Sequence, residues 1–508
     1  MDPSAIAMEW EALLGKGRPD GLYAWRSVRE EASVIWAMAW KISLASFCRM
    51  SVFTISTAFL GQLGTRELAA SALAQSVIGA LRIVTWASST SLSTLCGQAY
   101  GARNFELVGT WLQTGVVVLS AASIPLMIAH LYAYLVLQYI VHDDPDLVSL
   151  AQTFASYSAL SVWPNALYVS LRSYLRSQQI VAPIAVVDFA TVGLYIVSNY
   201  VFIYGCLGWN GLGFVGSPLA SFFCATMQPL ALFVYAFVVQ RHHEKTWTGW
   251  SWQCLDQVRL KQFVTLTSSL FVYLAMDEWI YNVVTVVAAQ LGSVNLAANS
   301  ILFNVWGLAY GVYLGFSTPI QVRASHAMGA NDPSKAKQVT FVGFALGSIA
   351  TVVVVVVLLV GRRPLVGVFT QDPALHDILD TVLPVFCIAA SISGLHVMLS
   401  SVLEAMSLAM TLVIVSGVGS WGILLPVSYY LGISEALGLA GLWWGSVVGE
   451  AAKFMFTGIA LFGLYDWAAI AHRIARDTEA IAVAEEVEAL TSADTVKSPV
   501  AAATNSSF

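Results

Sequence analysis

The sequence predicts an all-α integral membrane protein of twelve transmembrane helices, arranged as two six-helix lobes. Three observations carry that expectation. Hydrophobic residues make up 57% of the 508 and charged residues 11%, about half the charged fraction usual for soluble domains, and mean hydropathy is +0.72. Windows of mostly uncharged residues, about twenty long as a helix needs to cross roughly 30 Å of hydrocarbon, recur along the whole chain. The chain also repeats itself: shifted by 228 positions, residues 62–102 fall on 290–330 without a gap and 14 of 41 coincide, where random pairing gives roughly four. A period near half the chain means a duplicated bundle rather than a solenoid.

The first six spans are expected near residues 34–60, 69–91, 108–135, 147–171, 181–203 and 212–239, and the second six near 263–289, 297–322, 339–360, 378–402, 411–431 and 437–462. This divides the chain into an N-terminal tail (1–31), an N-lobe (32–240), an inter-lobe linker (241–261), a C-lobe (262–465) and a C-terminal tail (466–508). Within the repeat, Gln62-Leu63-Gly64 answers to Gln290-Leu291-Gly292, and Gly101-Ala102 to Gly329-Ala330.

Charge sets the orientation. With the N-terminus inside, the inner loops carry Arg103, Arg172, Arg176, Arg241, Lys245, Arg259, Lys261, Arg323, Lys335 and Lys337, against Arg66, Arg362 and Arg363 outside. This agrees with the positive-inside rule, as do Lys16, Arg18, Arg26 and Arg29 before the first span. Both termini are therefore expected in the cytoplasm, of a protein in the plasma membrane or in a vacuolar or other organellar membrane. Residues 1–31 mix acids and bases and lack the apolar core of a secretory signal; their acids also argue against a transit peptide. The tail is expected to begin as a short amphipathic helix with His472, Arg473 and Arg476 and to become disordered from Glu479. Asn505-Ser506-Ser507 matches a glycosylation sequon but lies on the inner side, where it is not used.

Six single cysteines, at 48, 96, 206, 224, 254 and 387, show no metal spacing and read as packing residues. Phosphate loops, nucleophile elbows and His/Glu metal pairs at helical spacing do not occur, so enzyme chemistry has no purchase. A net charge of -6 leaves no footprint for nucleic acid. No cofactor or metal is expected, and the chain is expected to work as a monomer whose partners are the bilayer and a small organic substrate.

Ionisable groups inside spans are costly and need a reason. They are Lys41, Arg49, Arg82, Asp188, Asp277, Glu278, His396, Glu450 and Lys453. Glu450 and Lys453, three apart on one helix, can satisfy one another. Lys41 is near enough to a span end to snorkel. Asp188, five residues beyond Pro183, suits helix-kink support and cavity lining equally. His396 reads first as a satisfied core histidine, although its imidazole titrates near neutral pH. Glu278 differs: it stands mid-span in Met276-Asp277-Glu278-Trp279-Ile280-Tyr281-Asn282. A carboxylate withdrawn from water exchanges protons near neutral pH, and a cation in the same cavity would compete with that proton. The alternative is a carboxylate locked to Arg49 or Arg82.

Here the residues resemble a known family, the multidrug and toxic compound extrusion (MATE) transporters, in their eukaryotic branch. Thr94-Leu95-Cys96-Gly97-Gln98-Ala99-Tyr100-Gly101-Ala102 is similar to the family's stretch after the second helix. Phe59-Leu60-Gly61-Gln62-Leu63-Gly64 resembles its first external turn, and Arg323-Ala324-Ser325-His326-Ala327-Met328-Gly329-Ala330-Asn331-Asp332-Pro333 its arginine-bearing loop after the eighth. Leu171-Arg172, Gln178-Gln179-Ile180-Val181-Ala182-Pro183 and Asn199-Tyr200 are similar to its fourth-to-fifth helix region. The resemblance covers about residues 36–464.

It implies two lobes in a V, related by an axis along the membrane normal, that export organic cations or metabolites in exchange for H+, with Na+ as an alternative coupling ion. It makes Glu278 the main coupling carboxylate, with Asp277 and His396 as helpers. The chain departs from the family's pattern at Ser93, where an acid is frequent, at Ser393, where many members have a tenth-helix Asp, and at Val283, the place of a second seventh-helix Glu. Arg49 stands on the first helix, which carries an aspartate in prokaryotic members, and Asn304 fills the eighth-helix polar position. The substrate cavity is expected to be lined by Trp279, Tyr281, Asn282, Asn304, Trp306, Tyr310, Trp86, Ser93, Gln98, Asp188 and Ser393, with Trp163 a further aromatic; aromatic faces suit organic cations. Two alternatives remain, a lipid-linked flippase of the same superfamily and an exporter of organic anions, which a bare Arg49 would favour.

Overall fold

The computed structural model describes residues 21–496 apart from 142–143, 207, 248, 363–365 and 368–371. Lys16, Arg18, Arg363 and the Asn505 sequon lie outside the described residues. The first lobe contains α1 (Gly21–Leu63), α2 (Thr65–Gly101), α3 (Phe105–Leu131), α4 (Pro145–Ser158 and Val162–Ser177 around the 3-10 turn Ala159–Ser161), α5 (Ala182–Tyr204) and α6 (Gly216–Phe233). The second contains α7 (Gln257–Gln290), α8 (Ser293–Gly329), α9 (Pro333–Val360), α10 (Pro373–Ala405), α11 (Ala409–Ser416, prolonged through the π turns Gly417–Leu424 and Tyr430–Ser434) and α12 (Gly438–Ile459).

Eleven helices among the described residues are long and apolar enough to cross a membrane. The twelfth span, α4, is not one of them, because its 3-10 turn cuts it into two shorter pieces and the second piece carries Arg172 and Arg176. Those two arginines, expected in a loop, are in the last turns of that helix. Residues 352, 353, 356, 357 and 360 of α9 are exposed valines, the surface that lipid would cover.

The repeat is visible atom by atom where each lobe turns from its second to its third helix. Arg103 and Asn331, 228 residues apart, both take positive φ, 60° and 54°, a conformation uncommon for residues with a Cβ. The next residue in each copy caps a helix: the Asn104 side chain accepts from the Leu107 amide and that of Asp332 from the Lys335 amide. These caps satisfy amides that a helix start leaves without partners.

α2 and α8 run past their apolar windows, and the motif stretches expected as loops are their final turns. The extra turns are polar because they pack on protein. Here the lobes meet: the Thr94 hydroxyl donates to the Glu404 carbonyl at 3.1 Å, Gln98 Nε2 to the Ala405 carbonyl at 2.8 Å, and Gln321 Nε2 to Thr94 Oγ1 at 3.1 Å. His326 Nε2 meets the Ser177 carbonyl at 2.6 Å. Nearby, Glu31, assigned to the tail from sequence, is buried near the start of α1 and pairs with Arg323 at 2.7 Å and Lys335 at 3.0 Å. On this side the lobes are closed.

The C-terminal tail also differs from expectation. It is helical over Trp467–Val496 (α13), past Glu479. Trp467, Ile470, Ala471 and Ile474 fall on one face and bury themselves in the main core, which gives the helix an anchor that composition does not reveal.

A Cβ added to Gly101 would overlap the backbone of His326, and one added to Gly329 would overlap the backbone of Gln98. Gly101→Val and Gly329→Val are each expected to destabilise the closed seam by about 1–3 kcal/mol. A thermal midpoint of the detergent-purified variants equal to the wild type would refute this contact.

Candidate functional site

Away from that seam the lobes part. α7 is buried through residues 273–275, but from Glu278 onward it shows Trp279 and Asn282 exposed. The parting occurs at the level of Asp277, whose repeat counterpart, 228 residues earlier, is Arg49. A charge at this depth needs a partner, and each lobe supplies its own.

In the N-lobe Arg49 Nη1 donates to Asp188 Oδ2 at 2.7 Å and Nη2 to Ser46 Oγ at 2.8 Å. Asp188 further accepts from the Tyr168 hydroxyl at 2.5 Å and from Gln228 at 3.3 Å. Arg49 is therefore not bare, and buried Asp188 serves as its counter-ion. The α1–α5 pair frames a cavity of about 330 Å³ inside the lobe, bordered also by Arg82, Arg172, Gln75 and Asn165.

In the C-lobe Asp277 Oδ1 receives Lys453 Nζ at 3.2 Å and the hydroxyls of Ser416 at 2.8 Å and Ser420 at 3.0 Å. Ser416 ends the α-helical part of α11 and Ser420 lies in the π turn that follows it. Lys453 Nζ also meets Glu450 Oε1 at 2.8 Å, and the Tyr281 hydroxyl donates to the same oxygen at 2.6 Å. His396 Nδ1 stands 3.9 Å from Glu450 Oε2, an oxygen with no hydrogen-bond partner. Glu450, Lys453 and His396 are each buried to 2% exposure or less. The Glu450–Lys453 pair read from sequence is thus present, but it belongs to a larger cluster that includes Asp277, Tyr281 and His396, with Ser393 buried beside Tyr281.

Glu278, next in the chain, turns away from this cluster. Its carboxylate has no hydrogen bond or ion pair among the described residues, and it feels Arg82 of α2 and Tyr310 of α8 only through space. It is locked to neither Arg49 nor Arg82. Below it Trp86 and Tyr310 meet edge-on across the lobes with ring centroids 6.1 Å apart, and Trp306 lies 5.5 Å from Tyr310. Trp86 and Tyr310 wall a cavity of about 90 Å³ between the lobes. Asn304 is exposed and donates to the Ser300 carbonyl.

Three other residues lie apart from these cavities. Ser93 and Gln98 are buried in the closed seam, and Trp163 donates to Ser120 of α3 at 3.1 Å with half its surface exposed. One residue was missed: Glu404, just past the tenth apolar window, lines the inter-lobe cavity. Its acidic side chain in the last turn of a span was the available signal. No group of three or more metal-ligating side chains occurs among the described residues.

Removing Lys453 strands two carboxylates, and breaking one partner from a buried ion cluster costs about 3–5 kcal/mol. Lys453→Met is expected to lower the thermal midpoint, and adding Asp277→Asn to recover part of the loss. A double variant no more stable than the single one would show that Asp277 and Lys453 are not coupled.

The MatE family model matches residues 42–201 and again 270–430, so its two blocks begin 228 residues apart, at the offset of the internal repeat. Among curated relatives, Multidrug and toxin extrusion protein 1 of Mus musculus is 30% identical over 449 residues, covering 86% of this chain and 77% of its own length. Protein DETOXIFICATION 36 of Arabidopsis thaliana is 26% identical over 413 residues, covering 80% of each. The crystal structure of the eukaryotic MATE transporter AtDTX14 superposes with a TM-score of 0.81 at 18% identity, over 89% of this chain and 99% of that one. The Vibrio cholerae MATE transporter VcmN in its bent form gives 0.74 at 16% identity, over 90% of this chain and 99% of that one. With a repeat matched twice by one model, a charge-bearing cleft between two lobes and this overall superposition, the chain belongs to the MATE family of multidrug and toxin extrusion transporters, integral membrane proteins and not enzymes.

Proposed function

We propose that this transporter exports organic cations in exchange for protons, with Glu278 as the carboxylate that both ligands use. The observation that carries this reading is the Glu278 side chain itself, held at the mouth of the inter-lobe opening without a partner while its neighbour Asp277 is neutralised by Lys453. A carboxylate already paired gains little from a proton, whereas an unpaired one facing aromatic walls can hold either a proton or an organic ammonium. The charge asymmetry of the loops supports a cytoplasmic closed side, so that this state takes up protons from the far side and releases substrate there. A reciprocal state, open toward the cytoplasm, completes alternating access.

Organic anions are the second reading, and the N-lobe cavity favours it: Arg82 and Arg172 border it beside the neutralised Arg49. The two readings separate on a panel of organic ammonium ions, flavonoids and organic acids.

In proteoliposomes with an imposed pH gradient, Glu278→Gln is expected to abolish uphill accumulation of an organic cation while expression and monodispersity stay at wild-type levels. Replacing Na+ by K+ is expected to leave the wild-type rate unchanged. Uphill accumulation by the Gln variant would remove Glu278 from coupling, and a rate that collapses without Na+ would remove the proton.

A further inference from the structure

α1 belongs to both lobes. From Arg49 onward it is tied to the N-lobe, by the Arg49–Asp188 pair to α5 at 2.7 Å and by Ser56 Oγ to Ser217 Oγ of α6 at 3.0 Å. Residues 27–43 lie instead on the C-lobe. Trp36 meets Phe316 of α8 with ring centroids 6.1 Å apart, and Ile35 packs with Ala324, Val339 and Ala405. A Cβ added to Gly315 of α8 would overlap Ser43 Oγ, so the two helices run in close contact there.

A knot of charge ends this stretch. Glu31, 2% exposed, accepts from Arg323 of α8 through both oxygens, Nε to Oε1 and Nη2 to Oε2 at 2.7 Å each, and Lys335 Nζ of α9 stands 3.0 Å from Oε2. One turn earlier, Gln338 Nε2 of α9 donates to Ser27 Oγ at 3.1 Å. The repeat does not carry the knot twice. At 228 positions' distance Arg259 stands for Glu31, and Leu95 and Leu107 stand for Arg323 and Lys335.

We propose that Glu31, Arg323 and Lys335 form a clasp that holds the closed side shut, and that its release, with residues 27–43 of α1 leaving the C-lobe, lets the seam between α2 and α8 part. The proposal rests on the reciprocal open state described above and is independent of the coupling ion. α1 has no proline, glycine or π turn between residues 22 and 60, and so lacks the usual causes of a sharp kink. A stiff helix fixed to the N-lobe at Arg49 and Ser56 must leave the C-lobe when the lobes separate at this end. The chemistry of the knot suits such a step. A bidentate arginine–carboxylate pair fixes position and angle, yet ions that return to water regain the hydration they lost on burial. The side chains of Arg323 and Lys335 remain 20% and 33% exposed, so both cations are already partly hydrated when the carboxylate leaves.

The test uses the full-length chain in lipid nanodiscs and needs neither substrate nor coupling ion. Ser325 of α8 is fully buried, and a Cβ added to Gly97 of α2 would come within 2.8 Å of its Cβ across the seam. Ser325→Cys therefore places a thiol that a water-soluble maleimide reaches only when the seam parts; Cys206, the exposed cysteine, is changed to Ser in the same background. Peptide mapping gives the labelling rates at position 325 and at Cys387, buried inside the C-lobe. Glu31→Gln is expected to raise the rate at 325 by about tenfold. Lys335→Met, which leaves the Arg323 pair in place, is expected to raise it by about threefold, and neither variant to change the rate at Cys387. An unchanged rate at 325 in both variants overturns the clasp while leaving the reciprocal state standing. A matching rise at Cys387 also overturns it, because Glu31 is then an anchor of the whole fold. If Glu31→Gln does not fold, Lys335→Met alone decides on the same outcomes. A position 325 that never labels in any background overturns the reciprocal state and the clasp together.

Discussion

Where α2 crosses α8, Gly101 lies against the His326 backbone and Gly329 against that of Gln98. Each pair is the other shifted by 228 residues, so the contact is made twice about a local two-fold. Two helix ends can approach this closely only where neither carries a Cβ. The approach brings Gln98, Thr94 and Gln321 within hydrogen-bonding distance of backbone and hydroxyl partners in the opposite lobe. Desolvated polar groups that find partners hold a seam in one register. With the lobes fixed at this end, their divergence at the other follows from geometry, and so does the cleft in which Glu278 stands.

The seam is symmetric; the charges above it are not. Arg49 and Asp277 occupy equivalent positions and carry opposite signs. Arg49 draws its counter-ion from α5, Asp188, and the residue 228 positions on is Ser416, which donates to Asp277. Exchanging an acid for a hydroxyl there left Asp277 in need of a cation, and Lys453 of α12 fills the need. The duplication supplied matching backbone sites, and side-chain substitution then gave the lobes different electrostatics without changing how they pack.

The spans and the 228-residue offset were legible because lipid imposes a length and a polarity that few other constraints mimic. The closed seam was not. Residues 88–98 are rich in serine, threonine and glutamine, which in a hydrophobic window reads as the end of a span, yet here they are buried against protein. The same blindness hid Glu404, two residues past the tenth window, and put Arg172 and Arg176 in a loop. Partners were equally hidden: Asp188 lies 139 residues from Arg49, and Lys453 176 from Asp277, and nothing in local pattern says which buried charge another will meet. The tail helix was expected only as a short start, and its docking escaped for a related reason, since only Trp467, Ile470 and Ile474, buried in the core, distinguish it from a polar extension.

Charge balance supports the proposed placing of coupling in the second lobe. Arg49 and Asp188 cancel, and the surplus of the first lobe, Arg82, Arg172 and Arg176, is positive and cannot titrate in the physiological range. The C-lobe cluster holds two carboxylates, Asp277 and Glu450, for one ammonium, Lys453, with the His396 imidazole beside them. With both carboxylates ionised and the imidazole neutral, such a buried set carries one net negative charge, a costly state away from water. Glu278, adjacent to that cluster yet facing the cleft, stands where a ligand from outside meets this deficit. An arginine-bearing lobe opposite a proton-deficient one divides the work between them. In the proposed cycle the first repels cations toward the second, and the second holds them only while it lacks a proton.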